Sequence, residues 1–433
     1  MMLVAFLVHH QMGAGLRHKD ELRFLGDSKH DDGRDIYADS DSDGEETRDR
    51  KGRGVAMKVR AVKYRPSASS LRIFNTPLPT HPIKVLLINY ATLDHIVGML
   101  SGPVIPTAIR WIASRITKPK ITTECREPCK QIPRVYQHIP FNTKHTLDVY
   151  AHCCQDTTGT ELKPVVLFIY GGAWNSGSKA LYGPLAFNLL RSGHITVVPD
   201  YTLYPQGLVE DALDDVTNAL AWTRQHIATY GGDPDQIHIM GHSAGAHLVA
   251  MSLVRGAIES ARSSDLRVPS FPGEMAPPKQ GLNPAVVVRG VVLLAGVFDI
   301  QRHFHFEAGR GVEEVSAMRR CMSHTRLCFD ARSPGKVLRW IMRQGDGCEV
   351  VQRFLPQAWL VVHGDADSTV PVRQSEDLHD ILKYECGLDG SRLKVLRNVG
   401  HFAIISELTL IDSDYLREFL NDVTEMSKKT RIQ

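Results

Sequence analysis

Apolar residues along this chain fall into short runs separated by polar, periodic stretches, and the two textures alternate from about residue 135 onward. Residues 146–150 (TLDVY), 164–170 (PVVLFIY), 194–199 (HITVVP), 236–240 (QIHIM), 286–294 (VVVRGVVLL), 358–363 (AWLVVH) and 393–396 (LKVL) read as strands. Most are apolar on successive positions instead of alternating, which marks strands buried on both faces. Between them, 210–230, 244–255 and 372–384 carry helical periodicity. Apolar strands alternating with helices predict an α/β fold, with a mostly parallel central sheet covered by helices on both faces. Two stretches break that rhythm. Residues 259–283 are rich in Ser and Pro and read as a surface insertion. Residues 303–347 are helical, basic and broken by loops, which predicts a lid over about 300–350.

Ahead of this region the pattern is different. Residues 16–70 are polar and low in aromatics, with an acidic centre (DDGRD, then DSDSDGEE) followed by KGRG. Such a segment buries too little apolar surface to offset its ordering entropy, so 1–70 is expected to be disordered. The start, MMLVAFLVHHQMG, lacks the basic region and small-residue cleavage site of a secretory signal. Residues 85–109 then turn apolar, but Asp94 and His95 lie near the middle, and Pro103 and Pro106 interrupt the run. A central Asp costs about 2.5–3.5 kcal/mol on insertion scales, which disfavours a clean span. An accessory helical segment over 71–130 follows, lying on a membrane surface or against the catalytic domain; periodicity does not separate the two. The third division is a catalytic domain over 131–425.

Composition narrows the function classes. The chain has 433 residues and a formal charge of +3, which excludes neither sign of partner but offers no basic footprint for nucleic acid. Its eight cysteines form no paired C-x-x-C ribbon and are too sparse for a disulfide scaffold. They read as reduced thiols of an intracellular protein, with a Cys125–Cys129 bridge left open. No metal and no organic cofactor is called for.

The candidate chemistry sits at strand ends, where α/β sheets present their sites. In IHIMGHSAGAH (237–247), Ser243 stands between Gly241 and Gly245, just after an apolar strand and just before a helix. The glycines allow the sharp turn that lifts a serine clear of the sheet, and the N–H of Ala244 opens the helix toward the same space. A nucleophilic serine needs a base, an orienting group for that base and donors for an oxyanion. The segment HGDADSTVP (363–371) offers Asp365 and Asp367 as orienting carboxylates. In RNVGHF (397–402), His401 follows both in the order Ser, Asp, His; His247 and His363 are its rivals. The turn YGGAW (170–174) offers backbone donors after another apolar strand.

These residues resemble an α/β-hydrolase of the esterase/lipase group over about 135–420. YGGAW is similar to the H-G-G-G-W oxyanion loop of esterases, with Tyr170 in place of His and Ala173 in place of the third glycine. That match implies Gly172 and Ala173 as oxyanion donors together with Ala244. The family pattern H-G-x-x-D-x-x-V-P implies Asp367 as the orienting acid and leaves Asp365 a turn residue. DYTLYP (200–205) is similar to the D-Y-R-L-x-P turn, with Thr202 replacing Arg. Taken with YGGDPD, GVFDI and HFH, the run most resembles prenylcysteine carboxyl methylesterases. The resemblance implies a Ser243–His401–Asp367 triad acting on a small, lipophilic carboxylic ester, at endoplasmic reticulum or Golgi membranes where a membrane role applies. Arylformamidases and feruloyl esterases use similar loops, so amide or formamide hydrolysis is the alternative reaction. A non-catalytic hydrolase-fold binding protein is the alternative to an enzyme. A peptidase of this fold would need a larger gating domain than residues 1–130 supply.

Overall fold

A computed structural model of the chain describes residues 70–73, 76–79, 133–152, 162–313, 315–323, 325–409 and 413–431. The expectations for residues 1–69 and for the apolar 85–116 stretch lie outside the described residues, as do Cys125, Cys129, Cys153 and Cys154. Within the expected helical segment 71–130, the described part is extended: β1 (Ser70–Ile73) pairs antiparallel with β2 (Thr76–Pro79). Pro77 and Pro79 there exclude a regular helix, because proline lacks the N–H a helix interior needs.

The main body is an eight-stranded sheet in the order β10-β9-β8-β7-β5-β6-β4-β3. Its strands are β3 (Pro133–Pro140), β4 (Thr146–His152), β5 (Lys163–Ile169), β6 (Ile195–Pro199), β7 (Gly232–His242), β8 (Val288–Leu294), β9 (Ala358–Gly364) and β10 (Gly390–Leu396). β4 runs antiparallel to both β3 and β6, and every other pairing is parallel. Central strands β5, β6, β7 and β8 are buried almost throughout, as their unbroken apolar runs require. Edge strand β3 is mostly exposed, with proline at both ends, and so carries no apolar signature.

Helices α1 (Gly183–Arg191), α2 (Val209–His226) and α3 (Ala244–Arg262) follow β5, β6 and β7 in turn. A cap of short helices separates β8 from β9: α4 (Ile300–Gly309), α5 (Met318–Cys321), α6 (Arg326–Ala331), α7 (Pro334–Met342) and α8 (Gly347–Phe354). Its base is pinned where the Gln374 side-chain oxygen accepts from the N–H groups of Phe298 and Asp299 at 2.8 and 2.7 Å. Helix α9 (Arg373–Asp380) supplies that glutamine, and α10 (Asp414–Arg431) closes the described chain. α10 buries Leu416, Phe419, Val423 and Met426, a spacing of three and four that puts them on one face. A side chain at Gly290 of β8 would collide with Met426, so the bare strand surface there seats the helix.

No described helix is long and apolar enough to cross a membrane. Cys321, Cys328, Cys348 and Cys386 are free thiols.

Candidate active site

The turn after β7 carries Ser243 at φ 53° and ψ −122°, a conformation that side chains rarely adopt. Two things hold it there. The Ser243 N–H donates to the Leu294 carbonyl at 2.8 Å, tying the turn to the end of β8. The flanking glycines let backbones meet: a Cβ on Gly241 would lie 2.6 Å from the Gly245 carbonyl oxygen, and one on Gly245 would lie 2.2 Å from that of Ile169. The strand, the turn and α3 therefore pack closer than any side chain allows.

His401 reaches the serine from the loop after β10. Its Nε2 lies 2.9 Å from Ser243 Oγ and its Nδ1 lies 2.7 Å from Asp367 Oδ2. With Nδ1–H donating to the carboxylate, Nε2 is left to accept the hydroxyl proton. Asp365 fastens this loop, accepting from the Asn398 N–H at 2.6 Å through Oδ1, which fits a turn residue. Asp367 is the one that meets the imidazole. Its Oδ1 accepts from the N–H groups of Thr369 and Val370, each at 2.8 Å, and its Oδ2 also lies 3.2 Å from His363 Nε2. Burial alone would raise this carboxyl, but the facing His401 and then His363 hold it well below the usual carboxylate range.

The rival histidines have other partners. His363 Nδ1 lies 2.7 Å from Ser375 Oγ, and its Nε2 lies 2.9 Å from the Val370 carbonyl. His363 thus braces Asp367, a role that its position four residues earlier in the same turn hinted at only weakly. His247 Nδ1 accepts from the Trp174 indole at 3.1 Å, and its Nε2 donates to the Arg332 carbonyl at 2.8 Å. His242 donates to the His401 carbonyl at 3.4 Å. Burial, and next the proximity of His401, lowers the His242 imidazole to about 3, so it stays neutral.

The turn after β5 brings the remaining sequence candidates alongside. Gly172 has φ 138°, Ala173 φ 49° and Trp174 φ 60°, three successive residues in backbone regions that L side chains rarely adopt. A Cβ on Gly172 would strike the Ser176 carbonyl at 2.1 Å, so glycine is required. The turn touches the serine directly, since a Cβ on Gly171 would sit 2.9 Å from Ser243 Cβ. Ala244 opens α3, and a first-turn N–H has no intrahelical acceptor. Tyr170, in the position of the esterase histidine, is buried and donates to Asp200 Oδ1 at 3.1 Å. Thr202, in the position of the family's Arg, donates to Asp215 Oδ2 at 2.6 Å through its hydroxyl.

Residues 147–325 match the BD-FAE family. A probable isoprenylcysteine alpha-carbonyl methylesterase of Oryza sativa subsp. japonica is 31% identical over 255 residues, covering 59% of this chain and 53% of that protein. A probable carboxylic ester hydrolase of Mycobacterium tuberculosis is 43% identical over 113 residues, 26% of each chain. The chain spans about half the length of the first plant relative and less of others. In architecture it is similar to esterase B from Lactobacillus Rhamnosis, with TM-score 0.51 and 16% identity over 80% of this chain and 97% of that one. The sheet order is that of an α/β-hydrolase, and the family match over residues 147–325 and these relatives make the chain similar to the esterases that share this fold.

Proposed function

We propose that the protein is a serine hydrolase of carboxylic esters, with Ser243 as nucleophile, His401 as base and Asp367 as its orienting acid. The observation that carries this reading is the unbroken line of hydrogen bonds from Ser243 Oγ through His401 to Asp367, set on a strained turn. As Oγ attacks the ester carbonyl carbon, its proton passes to His401 Nε2, and Asp367 stabilises the imidazolium. The oxyanion is met by the N–H groups of Gly172, Ala173 and Ala244. Collapse breaks the bond to the alkoxy oxygen, which leaves as alcohol with the proton from His401. Water then attacks the acyl-serine by the same route, giving the acid and restoring the hydroxyl. Each step uses only groups of this chain and the solvent.

A lipophilic alkyl or prenylated cysteine methyl ester is the substrate class favoured by the similarity to the rice methylesterase. Ser243→Ala is expected to lower p-nitrophenyl butyrate turnover by at least about 10⁴-fold with the fold retained, as judged by circular dichroism. Residual turnover within tenfold of wild type would overturn the assignment. A fluorophosphonate label appearing at Ser243 excludes a purely binding role.

A further inference from the structure

The last residue of β7 touches all three parts of the proposed machinery. His242 directly precedes Ser243, and it pairs with Leu294 of β8, so its backbone is fixed by the sheet. The residue is only 4% exposed. On one side its ring lies against the donor turn: a Cβ on Gly171 would sit 3.0 Å from His242 Nδ1, so the bare glycine makes room for the imidazole. On the other side it lies over His401, with ring centroids 5.1 Å apart and planes 37° from parallel. Its Nε2 meets the His401 carbonyl at 3.4 Å. A carbonyl oxygen only accepts, which puts the proton of the neutral ring on Nε2.

A general base works only when held close to the proton it takes, yet His401 stands on a loop whereas His242 ends a central strand. We propose that His242 is a positioning residue for the ester hydrolysis assigned to Ser243, bracing the backbone of His401 from the sheet so that the base stays in line with Oγ. This rests on the esterase reading above and deepens it, since it names what holds the base in place. Few side chains meet the demands of this position. Lysine or arginine donates, but sets a cation beside the imidazolium that forms during the reaction. An ionised aspartate or glutamate has no proton to give the carbonyl. Burial, and next the proximity of His401, lowers the His242 imidazole to about 3, so it donates while carrying no charge. Glutamine is the other side chain of similar reach that donates without charge.

The test uses the whole chain and p-nitrophenyl butyrate. His242→Leu removes the donor and keeps an uncharged side chain of similar bulk. Its kcat is expected to fall by about 10- to 100-fold with KM within about twofold of wild type, the signature of a misplaced base. His242→Gln keeps an uncharged donor and should recover kcat to within about threefold of wild type. The titratable groups within electrostatic reach of His242 are His401, Asp367 and His363. Because His242 itself stays neutral, the rise of kcat/KM with pH should remain a single-proton limb in wild type and in both variants. If the leucine variant does not fold, His242→Met, also without a donor, takes its place. Wild-type kcat in a folded donorless variant overturns this inference. Equal losses in the donorless and glutamine variants overturn it too, since the residue would then act by packing alone. A limb that loses a proton in His242→Leu would make His242 a proton carrier and likewise overturn it. In each of these cases a wild-type protein that labels with fluorophosphonate at Ser243 leaves the esterase reading intact. Failure of wild type to cleave any ester, with no label at Ser243, removes both.

Discussion

At the scale of single residues, the proposed site consists of groups whose type is dictated by chemistry, and the structure brings the three side chains singled out in the sequence into one hydrogen-bonded line. Nucleophile, base and orienting acid draw on a short list of side chains, and Ser243, Asp367 and His401 each sit beyond the end of a strand. Their bracing was not legible. His363 meets Asp367 at 3.2 Å only through the local turn after β9, and Asp365 meets the Asn398 N–H at 2.6 Å only once the loops after β9 and β10 are folded together. Asp367→Asn tests the orienting role. An amide cannot hold the Nδ1 proton and stabilise imidazolium, so kcat for an ester is expected to fall by about 10³- to 10⁴-fold with KM little changed. Because a depressed carboxyl stabilises the folded state above its ordinary titration range and loses that stability as pH falls through the folded value, this variant should also unfold more readily at neutral pH. Steady-state kinetics and thermal melts at pH 7 check both parts.

At the scale of elements, the buried strands and amphipathic helices announced themselves, and the exceptions have physical causes. β7 extends back to Gly232, which pairs with Lys163 of β5, across polar residues 233–236 where the register breaks before Ile237 meets Val165. β8 starts only at Val288, because Pro284 opens a single helical turn over 284–287 capped by Asn283. α10 escapes the sequence pattern because its apolar face is diluted by charge: Leu416, Phe419, Val423 and Met426 are separated by Arg417, Glu418, Asp422 and Glu425. Structural contacts between elements left no signal in the sequence pattern, and the one joining Trp174 of the β5 turn, His247 of α3 and Arg332 of the cap is the most consequential. His247→Leu would leave a buried indole N–H and a buried carbonyl unpaired, each costing about 1–3 kcal/mol. The expected result is a lower denaturation midpoint together with reduced kcat, since Trp174 closes the turn that carries the proposed oxyanion donors. Urea unfolding of this variant, read against its esterase rate, checks the coupling.

At the scale of the whole molecule, the distribution of buried imidazoles sets its response to acid. Burial lowers His194 and His247 to about 4, and His238, His242 and His303 to about 3. Each is neutral when folded but takes up a proton when unfolded below about pH 6.5. Their contribution is therefore complete above that pH and declines toward the folded values as acid is added. The slope is about 1.4 kcal/mol per pH unit for each group, against a typical total stability of about 5–15 kcal/mol. Cooperative unfolding near pH 5 is expected, with uptake of several protons. Circular dichroism through an acid titration checks this; an intact fold at pH 4 would contradict it. Glu307 acts with the opposite sign, since a raised carboxyl loses ground as pH climbs from its ordinary range to about 8. The protein is thus squeezed toward a neutral to mildly acidic optimum.

The crowding around Gly241 and Gly245 also bears on how such a molecule diversifies. With carbonyl oxygens standing where a methyl group would have to go, that pentapeptide has almost no tolerance for drift. The cap helices between β8 and β9 are joined by short loops and anchored through buried side chains such as Leu338, Ile341 and Val351, which leaves their exposed faces and loops the parts best able to change length and lining. New selectivities in descendants of this chain, natural or engineered, are to be sought there.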